Sequence, residues 1–372
     1  MIAIIGAGPV GSWTAYNLAK AGKEVTLFED HEVIGSPVQC TGVLTSTITE
    51  ILPPKKEYFA NEISRIEAIA PDNTSVELKL KKKEHIYHRT RFDQYLAGMA
   101  RDAGAKVLTS HRFLDYSPGL GKIRLRTGGK IVEYNAERVI GCDGPSSQVA
   151  KSAGLYGKRE FFVGAQALVK LKNDPELYKT YFGSVCPGLF AWAVPEDENH
   201  VRLGLADRKN PHALFQLLMK RVGAKKIVEQ QGGLIPIYNP KLRTMSWDGK
   251  VMLVGDAATQ VKATTAGGII QGMTAGQIAA GCILENRNYE KEWRKTLGRE
   301  LWLHLELRKL LDKFSDKDYN RLIGSMKKKS VKKVLEHESR DRPISLLWKL
   351  FLAEPGLSRH GLKFFSRKRD DV

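Results

Sequence analysis

The chain opens on an unbroken apolar run. "IAIIGAG", residues 2–8, is apolar at every position until it ends in glycines, the pattern of a parallel strand buried on both faces. "VGSWTAYNLAKAGKEVTLFE", residues 10–29, predicts an amphipathic helix that stops at Gly22 and a second buried strand after it. Between 60 and 85 the pattern alternates, as in "SVELKLKK", which predicts antiparallel strands. Helical spacing returns over 89–104, "RTRFDQYLAGMARDAG", stopping at Gly104, and "AKVLTS" and "ERVIGCDG" read as further strands. Residues 160–206 are strand-like and rich in aromatics, 250–285 read as strand, Gly-rich turn and long helix, and 290–372 are mostly helical. The nucleotide-type pieces are therefore scattered along the chain. The expected architecture is α/β. A Rossmann-like domain is assembled from 1–45, 86–155 and 245–285, and an antiparallel-sheet substrate domain is inserted as 46–85 and 156–244. A basic helical region over 286–372 completes it.

Composition narrows the setting. Of 372 residues 42% are hydrophobic, enough for a real core. Four irregularly spaced cysteines, Cys40, Cys142, Cys186 and Cys282, make neither a disulfide framework nor a zinc site, so no metal is expected. The first residues enter a strand at once, with no signal peptide, and no apolar run reaches the ~18–20 residues that span a bilayer. A cytoplasmic protein is expected. The formal charge is +18, and from Arg287 onward 23 Lys and Arg face 13 Asp and Glu. Such a balance suits an anionic partner or a well-solvated surface.

Three segments carry cofactor chemistry. Gly6-Ala7-Gly8-Pro9-Val10-Gly11 is a G-x-G-x-x-G between a strand and a helix. Its glycines permit a tight turn, close approach of the backbone to a pyrophosphate and close helix packing. Glu29 ends the next strand, where a carboxylate accepts hydrogen bonds from ribose hydroxyls. The second segment is Cys142-Asp143-Gly144, and the third contains Asp256, Gly267 and Gly268 ahead of a helix.

Together and in this order the three resemble the flavoprotein fold shared by aromatic hydroxylases and geranylgeranyl reductases, over roughly residues 1–285. The resemblance implies FAD as cofactor. Asp256 would hold the ribityl chain, and the backbone N–H groups of Gly268 and Ile269 would face the flavin ring. Arg89, in "HRTRFDQYLA", would lie near the flavin phosphates. Val10, Cys40, Thr41, Gly42 and Phe113 complete the implied cofactor set.

The branch within that fold follows from "GSPVQCTGVL", which resembles the G-x-P-V-x-C-x-x-G loop of archaeal and plant geranylgeranyl reductases. Its cysteine, Cys40, stands 11 residues after Glu29, as in that family. Aromatic hydroxylases lack it as a rule. The family loop often continues C-A-E-G or C-G-E-G, whereas here it reads Cys40-Thr41-Gly42-Val43. A second match is Phe190-Ala191-Trp192-Ala193-Val194-Pro195 with Gly204 after it, similar to an aromatic-x-W-x-F-P segment and a Gly-containing strand. Cys40 is open to three readings: an incidental thiol, a residue tuning the flavin by packing, or a redox-active or proton-supplying thiol whose pKa nearby positive charge would lower. Tyr181, Phe182, Phe190, Trp192 and Pro195 are the expected cavity wall, with core packing as their alternative.

The implied activity is reduction of geranylgeranyl double bonds of a membrane lipid, as in the archaeal digeranylgeranylglycerophospholipid reductases. A flavin monooxygenase or halogenase on a small aromatic is the alternative. One dinucleotide fingerprint implies an external electron donor, ferredoxin or transiently docked NAD(P)H. "LWLHLELRKLLDKF" (301–314) and "ISLLWKLFLAEPGL" (344–357) interleave Leu and Trp with basic residues. They suit peripheral contact with an anionic membrane on its cytoplasmic face, a cap over a lipid tunnel, or packing on the domain. Charge alone points to nucleic acid, and with no helix-turn-helix or stacking platform none is expected.

Overall fold

The computed structural model describes residues 1–354. β1 (Ile2–Ile5) leads into α1 (Pro9–Lys20), which begins at once because Pro9 suits the first helical position. β2 (Val25–Phe28) returns parallel to β1, and the short β3 (Val43–Leu44) follows the Cys40 loop. β4 (Phe59–Ile69) and β5 (Ser75–Tyr87) form a long hairpin, after which come α2 (Arg89–Asp102) and β6 (Lys106–Leu108). β7 (Arg112–Ser117), β8 (Lys122–Thr127) and β9 (Lys130–Asn135) make a meander that the sequence pattern did not separate. β10 (Arg138–Gly141) and α3 (Gln148–Ser152) precede β11 (Phe161–Lys170), β12 (Leu177–Tyr181), β13 (Ala191–Pro195) and β14 (His200–Asp207). α4 (Pro211–Val222), also not foreseen, leads to β15 (Lys226–Pro236), β16 (Met245–Ser246), β17 (Val251–Leu253) and α5 (Ile269–Leu284). The remaining helices are α6 (Tyr289–Trp293), α7 (Arg299–Leu311), α8 (Asp316–Met326), α9 (Lys329–His337) and α10 (Pro343–Ala353). The end of the expected helical tract, 355–372, lies outside the described residues.

The six-stranded sheet has the order β16-β17-β10-β1-β2-β6 and is parallel except at the β16 edge. Alternation splits β1 between two cores. Ile2 and Ile4 pack with Val25, Leu27, Ala275 and Ala279, on the side of α1 and α5. Ala3 and Ile5 pack with Phe113, Ile123 and Leu125 of the meander. Both faces are covered, which is why the run is apolar throughout.

The eight-stranded sheet runs β15-β11-β14-β13-β12-β4-β5-β3, antiparallel except where β12 meets β4. α4 covers one face through Phe215, Leu218 and Met219. The other face is the floor of a cleft. One row of directly paired residues crosses it: Gln231, Gln166, Gly204, Trp192, Thr180 and Ala68. Opposed residues share a face, so this row sets what the floor presents.

α8 and α9 lie against β5, and the turn after α9 is fastened by buried charge. Asp341 pairs with Lys262, both buried, and accepts the Thr45 hydroxyl; Arg340 pairs with the buried Glu84. Burial alone would push the Asp341 carboxyl up. Lys262, the Thr45 hydroxyl and Arg340 outweigh it and hold the group well below the usual carboxylate range.

His304 of α7 is buried beside this pair. Its Nδ1 meets Thr264 Oγ1 at 2.6 Å, and its Nε2 has no partner among the described residues. Burial and the Lys262 charge push its pKa down to about 3, against the opposing pull of Asp341. The sign follows from linkage. Below pH 6.5 the unfolded chain binds a proton that the folded chain refuses, so this group lowers stability as pH falls toward the folded pKa. Wild type should therefore lose about 1.4 kcal/mol per pH unit relative to His304→Gln between pH 6 and pH 4.5. Urea unfolding of both proteins across that range checks it; other titrating groups cancel in the difference. Parallel pH profiles would show that His304 is not held neutral.

Candidate functional site

A cleft of about 1070 Å³ lies where the parallel strands end and the floor of the larger sheet begins. The C-terminal ends of β1, β10 and β17 deliver Gly6, Cys142 to Gly144, and Val254 with Asp256 to one side of it, the usual ligand side of a parallel sheet. Gly6 takes a φ of +98°, and a Cβ there would lie 2.5 Å from the Cys142 carbonyl oxygen. At Gly11 a Cβ would lie 1.9 Å from the Gly6 oxygen, so this glycine serves packing and does not line the cleft. Gly8 differs: a Cβ would meet nothing within 4 Å, because the position opens onto the cleft at the start of α1. That space and the helix end suit a phosphate.

Glu29 is buried at the end of β2. Its Oε2 accepts the Ala7 N–H at 2.8 Å and its Oε1 accepts the His31 N–H at 3.2 Å. Burial raises its pKa while these two bonds oppose the shift. Asp256 faces the cleft, and no protein hydrogen bond reaches its carboxylate among the described residues. Burial pushes its pKa up to about 6, with Arg89 pulling it down. A desolvated carboxylate without an internal donor calls for donors from a ligand, and a chain of hydroxyls supplies them. Gly268 caps α5, and a Cβ there would sit 2.8 Å from Asp256 Oδ1. Val10, Phe113, Arg89 and Ile269 line the same cleft. These residues fit FAD: a phosphate-sized opening at Gly8, acceptors at Glu29 and Asp256, and free backbone at the start of α5. Asp143 of the second motif is engaged within the protein, accepting the Ser147 hydroxyl at 2.6 Å and the Val149 N–H at 3.0 Å.

The Cys40 loop enters the cleft beside this cradle. The Gly42 N–H points at Cys40 Sγ at 3.4 Å, and the Arg89 guanidinium lines the same cleft and interacts electrostatically with the thiol. Arg89 also donates to Asp93 at 3.1 and 2.9 Å. Burial would lower the Arg89 pKa, but Asp93 and Cys40 outweigh it and keep the guanidinium charged. The residue after Thr41 is held to glycine. Gly42 takes a φ of +77°, and a Cβ would lie 2.4 Å from the Tyr87 oxygen and 2.8 Å from Arg202 Nη1. An acidic side chain has no room there, the physical reason this loop departs from the C-A-E-G form. All four cysteines are free; Cys186 donates to the Ala206 oxygen in the sheet core at 3.1 Å, and neither it nor Cys282 lines the cleft.

Of the five expected wall residues the cleft takes three, Phe182, Phe190 and Trp192. Tyr181 and Pro195 are corrected by strand parity. Tyr178, Thr180 and Phe182 point into the cleft, so Tyr181 points the other way, into the sheet core with Arg221 stacked 5.4 Å from its ring. Pro195 has the opposite parity to Phe190 and Trp192. The rest of the wall escaped the sequence reading: Ile66, Leu78 and Leu80 from the hairpin, Met326 and Leu335 from the C-terminal helices, and the polar Gln166, Lys262 and Arg340. For Leu78 and Leu80 the signal was present in the alternation of "SVELKLKK". For Gln166 it was a lone amide in the apolar strand "FFVGAQALVK". Lys262 and Arg340 carried none, since their partners are distant in the chain.

Comparison with known proteins agrees with this geometry. The FAD binding domain model matches residues 1–276. A digeranylgeranylglycerophospholipid reductase of Methanothrix thermoacetophila is 33% identical over 364 residues, covering 90% of this chain and 93% of that protein. The enzyme of the same name from Methanocaldococcus jannaschii is 30% identical over 87% of this chain and 90% of its own. Among solved structures, a geranylgeranyl bacteriochlorophyll reductase-like protein of Thermoplasma acidophilum superposes with a TM-score of 0.84 at 21% identity, covering 96% and 98% of the two chains. A flavin-dependent brominase gives 0.74 at 16% identity over 99% of each, a likeness of fold alone. With the cradle, the Cys40 loop and these relatives in agreement, the chain belongs to the FAD-binding-domain flavoproteins, in the family of the digeranylgeranylglycerophospholipid reductases.

Proposed function

We propose that the protein is an FAD-dependent reductase that saturates geranylgeranyl double bonds of a membrane lipid, drawing electrons from an external donor, ferredoxin or NAD(P)H. One observation carries this reading: a single cleft joins the cofactor cradle, the Cys40 thiol and an apolar wall of Ile66, Leu78, Leu80, Phe182, Phe190 and Trp192. FAD, once bound and reduced, supplies the hydride. The chain's own residues supply the rest. The start of α5 would hold the ring, the apolar wall would position an alkene and keep water out, and Cys40 would hold a proton at Sγ. Arg89, which lines the same cleft, would counter the negative charge left on the sulfur when the proton passes to the alkene carbon.

We further propose that the cleft opens toward an acidic membrane surface. Ser345, Leu346 and Lys349 of α10 line the cleft, while Trp348, Phe351 and Leu352 of the same helix are exposed. Exposed Lys79, Lys81, Lys82 and Lys83 of β5 lie beside the α9 that carries Lys329 and Lys333. Two lysine clusters distant in sequence thus share one region with exposed aromatics, a combination suited to anionic headgroups. No helix among the described residues is long and apolar enough to cross a membrane.

Three outcomes are expected. Asp256→Ala should weaken FAD retention by ~1.5–3 kcal/mol, the worth of a hydrogen bond to a charged group, measured by titrating apoprotein with FAD. Unchanged affinity would remove Asp256 from the cradle. Cys40→Ser should keep FAD bound yet slow anaerobic reoxidation of the pre-reduced enzyme by a geranylgeranyl phospholipid ~10²-fold. Identical traces would make Cys40 incidental, and no reoxidation of wild type by any prenyl lipid, with oxygen-dependent attack on a small aromatic, overturns the reductase reading. Sedimentation should show binding to vesicles containing acidic lipid but not to neutral ones, reversed by salt and weakened in Trp348→Ala/Phe351→Ala. Equal binding to both kinds of vesicle would remove the electrostatic part.

A further inference from the structure

Thr41, Gln166 and Trp192 meet at one oxygen. Gln166 Oε1 accepts the Thr41 hydroxyl at 2.6 Å and the Trp192 indole N–H at 2.8 Å. An indole nitrogen only donates, so the amide's orientation is settled by chemistry, and its Nε2 donates in turn to Gln231 Oε1. Gln166 and Trp192 are only 6% and 8% exposed, so neither bond is readily replaced by water.

The contact spans a strand. Gln166 on β11 and Trp192 on β13 are both register partners of Gly204 on β14. A Cβ at Gly204 would lie 2.8 Å from Trp192 Nε1 and from two carbons of its ring. With no side chain there, the indole lies across β14 and reaches the amide beyond it. Thr41 arrives from the other direction, next in sequence to Cys40. Its carbonyl is held by Arg202 Nη1 at 2.5 Å, so Gln166 holds its side chain and Arg202 its main chain.

We infer that Gln166 is a positioning residue that ties the indole lining the cleft to the loop carrying Cys40, so that the cleft wall and the thiol move as one unit. A buried acceptor shared by two donors couples them. Turning the indole away leaves the oxygen with only the Thr41 hydroxyl, and loosening Thr41 frees the loop on one side of the thiol. The catalytic consequence rests on the reading of Cys40 given above; the coupling itself does not.

The test follows Cys40 alkylation by iodoacetamide in the FAD-loaded protein without substrate, read at each cysteine by peptide mass spectrometry. Thr41→Val and Gln166→Leu should each raise the Cys40 rate roughly 5- to 30-fold, the population change that losing a buried hydrogen bond produces. Thr41→Ser should restore the wild-type rate. The double variant Thr41→Val/Gln166→Leu should be no faster than Gln166→Leu alone, because both remove one contact. Cys186, buried against the same sheet in the connection between β12 and β13, should stay unreactive; its labelling would mark a loosened sheet and overturn a positioning role. Should Gln166→Leu fail to fold, Trp192→Phe removes the indole donor to the same Gln166 oxygen while keeping a ring, and should also speed Cys40. Unchanged Cys40 rates in Thr41→Val, additive effects in the double variant, or no rescue by Ser each overturn the inference. Alkylation needs no prenyl lipid. The expected pattern together with no reduction of any such lipid would sink the reductase reading and leave the coupling standing.

Discussion

A charge taken out of water needs a partner held in place, and the Lys262–Asp341 pair meets that demand across the whole fold. Lys262 belongs to the loop that leads to Gly268 and α5, and Asp341 follows α9, with Thr45 beside the Cys40 loop as a third member. Arg340 next to it reaches Glu84 on the hairpin. Breaking the first pair would strand a buried charge on the cofactor loop, so the C-terminal segment cannot leave without disturbing the flavin side of the cleft. The last helices are therefore wall, not appendage. Their residues Met326, Leu335, Ser345 and Leu346 finish a cavity that the two sheets begin.

That cavity has to be wet-chemistry at one end and dry at the other, and the period of a β-strand does much of the sorting. On β5, Val76, Leu78 and Leu80 share the apolar face, and on β12, Tyr178, Thr180 and Phe182 share the cleft face. Ionisable groups gather where the parallel strands end: Glu29, Asp256 and Arg89. Asp256 illustrates the tension. Burial lifts its pKa to about 6, a shift toward the neutral acid that Arg89 resists. The Arg89 charge favours the carboxylate, the form that accepts hydrogen bonds.

The sequence was readable where chemistry and local pattern coincide. Gly6, Gly8 and Gly11 stand in a fingerprint whose spacing is itself the geometry, and the unbroken run of β1 announces a strand covered on both faces. The aromatic wall was readable only in part. Residue type suggested Tyr181 as readily as Phe182, but a register set by pairing with β4 and β13 decides which of two neighbours sees the cleft. Lys262 with Asp341, and Arg340 with Glu84, had no local signature at all. They sit 79 and 256 residues apart in sequence, and only the folded chain brings them together.

Gly204 and Gly42 show how the residue chosen in one segment is answered in another. Gly204 removes a side chain so that Trp192 can cross a strand, and the indole then needs an acceptor on the far side, which Gln166 provides. The same oxygen has capacity for a second donor, and Thr41 fills it. Gly42 lets the backbone turn tightly under Tyr87 and Arg202, which brings Thr41 within reach of both Arg202 and Gln166. With an acidic residue in place of Gly42 the loop would need another path, and Thr41 would lose its position against the sheet. The loop sequence Cys40-Thr41-Gly42 is thus matched to Gln166, Arg202 and Gly204 as one set, and none of the three positions is interpretable without the others.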